Sequence, residues 1–140
     1  MKRAHTISVD GACSGKRAAC AAVLAFDGKI VDEISRALPQ VDGYVLAAEI
    51  AGVALASELV GDEVAQRELT VEVDNPDVAR VIEQEYRPKQ FSRIPEPVLK
   101  AAIGFWRIHN VRFTVHPRNS TAGLRRAHRL ASKCLWGEHP

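Results

Sequence analysis

Twelve consecutive residues, Val45-Leu46-Ala47-Ala48-Glu49-Ile50-Ala51-Gly52-Val53-Ala54-Leu55-Ala56, contain a single charge, that of Glu49. A helix this apolar on every side has no face for water, so the rest of the chain must enclose it. The helix neighbours of Glu49 three and four residues away are Val45, Leu46, Gly52 and Val53. A carboxylate buried bare among them would cost several kcal/mol, so it must be protonated, paired with a base or bound to a cation. The other possibility is that Glu49 lies at the solvent edge of the buried helix. The Ala and Gly residues around it let another element approach closely.

The rest of the chain supplies that enclosure. His5–Cys13 alternates, with Ile7 and Val9 to one side and Thr6, Ser8 and Asp10 to the other, which predicts a strand. Ala18–Phe26 is a second strand, and the Asp27-Gly28 turn joins it to a third over Lys29–Arg36. The apolar helix is expected from Tyr44 to about Val60, closed by Gly61. Leu69, Val71 and Val73 alternate with Thr70, Glu72 and Asp74 in a fourth strand, Glu68–Asp74. Asn75-Pro76 then caps and starts a helix to about Tyr86. After a basic loop, Pro88–Pro97, come a helix over Pro97–Ile108, a strand over Val111–Val115 and a helix over Thr121–Leu135. Helical crossovers into the fourth and fifth strands require a parallel portion, so the sheet should be mixed.

With 140 residues and no repeat or linker, residues 1–140 read as one domain. No apolar run approaches the ~18–20 residues of a membrane span. The polar start, Met1-Lys2-Arg3-Ala4-His5-Thr6, lacks the apolar stretch of a signal peptide. The three scattered cysteines, Cys13, Cys20 and Cys134, suit free thiols, so a cytoplasmic location is expected. Charge is polarised: residues 1–79 carry 7 Lys/Arg and 13 Asp/Glu, whereas residues 80–140 carry 12 and 4. Such a chain can pair an acidic pocket with a surface for a polyanion.

Asp10 and Asp74 each close a strand, and α/β sheets gather ligands at the carboxyl ends of their strands. If those strands are neighbours, the two Asp residues lie side by side with the Glu49 helix across them. Three converging carboxylates repel one another, and a hard divalent cation relieves that repulsion. An acidic cluster of this kind beside a basic half points to phosphoryl-transfer chemistry on nucleic acid.

These residues resemble those of the type 1 ribonuclease H family. Strand-Asp10-Gly11, a hairpin, Ala48-Glu49 on the first helix and strand-Val73-Asp74 match the family's first three catalytic carboxylates in order and spacing. Arg126-Ala127-His128-Arg129-Leu130-Ala131 resembles the motif on the family's last helix, with His128 in place of the fourth carboxylate. The resemblance spans essentially the whole chain. It implies an α/β fold with a five-stranded mixed sheet, element order βββαβααβα and helices on both faces. It also implies a two-metal-ion endonuclease that cleaves the RNA strand of RNA/DNA hybrids, and a monomer is expected. In that scheme Asp10 bridges two Mg²⁺ ions, Glu49 and Asp74 take one each, and His128 completes the second. Imidazole at that position suits Mn²⁺ better than Mg²⁺.

Other positions depart from the family. Lys16-Arg17-Ala18, Tyr44-Val45-Leu46 and Asn75-Pro76 replace segments that read 2′-hydroxyls or hold a DNA phosphate. Lys16, Arg17 and Asn75 are the candidates for nucleic-acid contact there. Because RNA is told from DNA largely by its 2′-hydroxyl, these changes bear on selectivity more than on catalysis. Nucleases of this fold that cut structured DNA, and a silent nucleic-acid-binding module, are the alternatives. Arg125, Arg126, Arg129 and Lys133 recur at three- and four-residue spacing around His128 and are expected to meet phosphates. Arg87, Lys89 and Arg93, with Phe91, stand where many bacterial members carry a basic protrusion. His116 lies in the loop where the family often has a histidine for proton transfer or product release.

Overall fold

The computed structural model describes residues 5–60 and 68–137. Three strands, β1 (His5–Ser14), β2 (Arg17–Phe26) and β3 (Lys29–Ala37), form an antiparallel meander. Helix α1 (Val45–Ala56) leads to β4 (Leu69–Val73), and α2 (Pro76–Ile82) and α3 (Glu96–Ile108) lead to β5 (Arg112–Val115). Helix α4 (Ala122–Leu135) is the last element among the described residues. The sheet order is β3-β2-β1-β4-β5, with β4 parallel to both β1 and β5. This is the mixed sheet and the βββαβααβα order expected. No helix of the described residues is long and apolar enough to cross a membrane.

Helix α1 lies on one face of the sheet against β1 and β2, with α2 and α3 packed around it. Every residue of α1 except Val45 and Ala54 is buried, as its uniform apolarity requires. Helix α4 covers the opposite face, where Ala127, Leu130 and Ala131 meet Ala21 and Val23 in a second, smaller core. The alternation of β1 is therefore real, but its polar side is not a solvent face. Ser8 and Asp10 are buried beneath α4.

Close backbone approach brings α1 onto β1. A Cβ at Gly11 would stand 2.6 Å from the main chain of Ala48 and Glu49. Gly11→Ala should therefore displace α1 and lower stability by about 1–3 kcal/mol, the usual cost of overpacking, read as a shift of the denaturant midpoint.

Helix ends depart most from the sequence expectation. Helix α1 stops at Ala56 and tightens into i→i−3 bonds through Leu59, while the expected closure at Gly61 lies outside the described residues. Helix α2 stops at Ile82 rather than near Tyr86. Gln84, with φ of 63°, donates to Val81, and Glu85 donates to Arg80. This is the paired closure that glycine usually makes. In the basic loop, Arg87 stacks on Phe91, and Arg93 stacks on Tyr44 while donating to the Asp42 carbonyl.

Candidate active site

The β1–β4 ladder runs from His5↔Leu69 to Ser8↔Glu72 and stops two residues short of Asp10 and Asp74. Beyond that point β4 ends at Val73 while β1, contrary to the expectation that Asp10 closes it, runs on beside β2 to Ser14, and α1 brings Glu49 to the gap. Carboxylate oxygens of Asp10, Glu49 and Asp74 lie within 4.8 Å of one another. The trio opens into a cleft of about 490 Å³, lined also by Val45, Arg118, His128 and Trp136.

The electrostatics follow from that crowding. Burial pushes the Glu49 carboxyl up to about 8, helped by the nearby charge of Asp74. A hydrogen bond to Asp74 also raises it, because Glu49 can donate that bond only while protonated. Asn75 opposes the shift by donating from Nδ2 to Glu49 Oε1 at 3.4 Å. Asp10 is likewise raised, first by burial and then by Asp74, against hydrogen bonds from His128 and the Gly11 N–H. His128 Nδ1 stands 3.0 Å from Asp10 Oδ2, so neutral imidazole can donate from Nδ1 and keep the Nε2 lone pair for a ligand.

Not every expected residue reaches the cleft. Arg126 turns away and donates twice to Glu33 on β3, from Nε at 2.7 Å and from Nη2 at 2.8 Å. Charge spacing on α4 could not separate it from its neighbours, because the acidic partner lies on another element. Arg125 and Arg129 do face a groove, of about 460 Å³, that borders the cleft. Asn75 is taken up by Glu49 and by the cap of α2, where its Oδ1 accepts from the Asp77 N–H. Lys16 is exposed at the β1–β2 turn, and the Arg17 guanidinium lies 5.9 Å from the centre of the Trp136 ring. His116 is tied to Thr114, with Nε2 3.0 Å from Oγ1, and sits 3.6 Å from Glu72 Oε2.

Three further residues, Glu72, Arg118 and Trp136, take part without a sequence pattern that marks them. Glu72 alternates as a solvent-facing strand residue, yet its Oε1 accepts from Ser8 Oγ at 2.6 Å and from Thr121 Oγ1 at 3.0 Å. Thr121 in turn caps α4 by accepting from the Leu124 N–H, so Glu72 anchors the helix that carries His128. Arg118, not His116, is the residue of its loop that lines the cleft. Trp136, more than half exposed, lines both the cleft and the groove.

Comparison with solved structures places this architecture. LC11-RNase H1, isolated from compost by a metagenomic approach, superposes with a TM-score of 0.76 at 19% identity, over 95% of this chain and 96% of that one. The chain has the ribonuclease H1 fold. RNase H1 from the halophilic archaeon Halobacterium salinarum NRC-1 gives a TM-score of 0.69 at 20% identity, over 96% of this chain and 98% of that one. LC11-RNase H1 in complex with an RNA/DNA hybrid gives 0.71 at 20% identity, over 95% and 97%. No family model and no curated protein sequence matches the chain. Within the ribonuclease H1 fold, the carboxylate trio occupies the point where the antiparallel and parallel halves of the sheet separate.

Proposed function

We propose that the chain is a divalent-metal-dependent endonuclease that hydrolyses the RNA strand of RNA/DNA hybrids. One observation carries this reading: three carboxylates converge in a cleft that borders a groove lined by Arg125, Arg129 and Lys133. The donor set fits hard cations. Three carboxyl groups share one buried site, and Glu49 holds a proton to about pH 8 in place of a balancing positive charge. Asp10 would be the ligand common to two ions, with Glu49 and Asp74 taking one each and His128 completing the second. When bound, Mg²⁺ or Mn²⁺ would polarise the scissile phosphate and make an attacking water more acidic. The chain's own residues do the rest. Asp10 fixes the tautomer of His128, Glu72 and Thr121 fix the helix that carries it, and Arg118 adds a cation to the lining of the cleft.

A second reading has its own support. Val45, 47% exposed at the mouth of the cleft, has no group with which to bond a ribose hydroxyl. That favours a nuclease of this fold with weaker discrimination, such as one cutting structured DNA. The intact trio weighs against a silent binding module.

End-labelled RNA/DNA hybrid, double-stranded RNA and branched DNA, each with Mg²⁺ and with Mn²⁺, separate these readings. Cleavage confined to the RNA of the hybrid is expected, and no cleavage of any substrate would overturn the proposal. His128→Ala should reduce Mg²⁺-supported turnover roughly 10- to 100-fold, in the range seen when the surroundings of a bound metal are altered. His128→Asp should raise it above the parent by restoring a fourth negative ligand. Equal turnover of the Ala variant and the parent with both ions would leave the site to its three carboxylates.

A further inference from the structure

The groove beside the carboxylate cleft is continuous with it: His128, Ser132 and Trp136 line both. Along the groove, Arg125, Arg129 and Lys133 fall at four-residue steps on α4. Four residues rise ~6 Å along a helix, so the three cations form one nearly straight row. Among the described residues neither Arg129 nor Lys133 makes an ion pair, in contrast to Arg126, which is committed to Glu33. A row of cations without carboxylate partners, leading out of an acidic site, is built to take the backbone of one polyanionic strand.

Trp136 stands at the end of that row, 58% exposed, beyond the last turn of α4. Its indole is the large aromatic surface of the groove, and Arg17 approaches the ring from the β1–β2 turn. An exposed indole can stack on a nucleobase only where a base face is free, which the interior of a paired duplex does not offer. Cations tracking the backbone with an aromatic platform for bases is the arrangement by which proteins hold single strands.

We propose that the α4 groove holds a single-stranded extension of the nucleic acid whose duplex part lies at the carboxylate cleft, with Trp136 stacking on an unpaired base. This rests on the nuclease reading of the cleft and adds a substrate class to it: hybrids that end in, or are flanked by, single strand. Blunt hybrid would fill the cleft but leave Trp136, with Arg17 over its ring, without a base to stack on.

Binding in the presence of a chelator tests this without turnover. The full chain is titrated against labelled blunt hybrid, the same hybrid with a short single-stranded extension on either strand, and a longer blunt hybrid of equal total length. The extension on one of the two strands should tighten binding about tenfold, the range expected for one stacked base, and should quench indole fluorescence in a Trp106→Phe background. Trp136→Ala should bring the ratio of extended to blunt affinity close to one, and Trp136→Phe should keep most of it. Lys133→Ala should reduce the slope of log K against log salt for the extended substrate by about 0.7. An equal gain from the longer blunt hybrid, no gain from either extension, or a gain that survives Trp136→Ala would overturn the proposal. The two readings fail separately. Cleavage of blunt hybrid with no effect of an extension would sink the track alone. A Trp136-dependent gain with no cleavage of any substrate would sink the nuclease reading and leave the track standing.

Discussion

Asp10→Asn is expected to lower hydrolysis by roughly 10³-fold or more, a loss on the scale of removing a residue that acts as a unit with its neighbours. The same change should raise the melting temperature of the protein in chelator. Asp10 is the carboxyl group that both Asp74 and His128 address, and its ionisation is opposed by burial and by the charge of Asp74. Asparagine keeps the shape and still offers an oxygen to the Gly11 N–H, but it removes one of the crowded negative charges. Loss of turnover with a gain in stability therefore marks Asp10 as a residue whose charge serves the reaction at the expense of the fold. Turnover in Mg²⁺ and thermal melts in chelator read the two effects. A variant that turns over like the parent would place the chemistry elsewhere.

The second large effect is a pH dependence centred on Glu49. Its folded-state carboxyl titrates at about 8, above the ordinary 4.5, so between those values the folded chain binds a proton that the unfolded chain has released. Stability from this group is fully present below pH 4.5 and is lost as pH rises toward 8. The melting temperature of the metal-free protein should fall across that window, and Glu49→Gln should flatten the fall. A divalent cation competes for the same carboxyl. Its apparent affinity should climb by about tenfold per pH unit below 8, with close to one proton released on binding near neutrality. Calorimetry of Mg²⁺ binding in two buffers of different ionisation enthalpy measures that proton. A release that persists unchanged in Glu49→Gln would assign it to another group.

Much of this arrangement is legible in the sequence because it depends on residues that break a pattern. Glu49 interrupts an apolar helix and Asp74 follows β4 directly, whereas Asp10, expected to close its strand, lies inside β1, which runs on beside β2 to Ser14; the three still converge because β4 ends beside Asp10. What escapes notice depends on which face another element covers. Glu72 sits in a strand whose alternation is that of a half-exposed sheet, and only the placement of α4 over it turns a surface glutamate into a half-buried anchor. Arg126 and Arg129, three residues apart, fall on the same side of the helix wheel, and only Glu33 on β3 separates their roles. Helix α2 ends on Gln84 in a left-handed conformation, with no glycine to announce the stop.

Helix α4 carries a consequence for how the molecule comes into being. A ribosome makes Asp10, Glu49 and Asp74 well before it makes Leu124 to Leu135, yet Ala21 and Val23 stay bare on their side of the sheet until those residues arrive. Domains settle as units, so the sheet that gathers the acidic trio is not settled until that segment has emerged and docked. His128 and the cationic row come with the same helix. A copy cut short before α4 would thus lack the cover of its smaller core together with His128 and the cationic row, so the sheet's second face and the basic groove are made or lost as one piece.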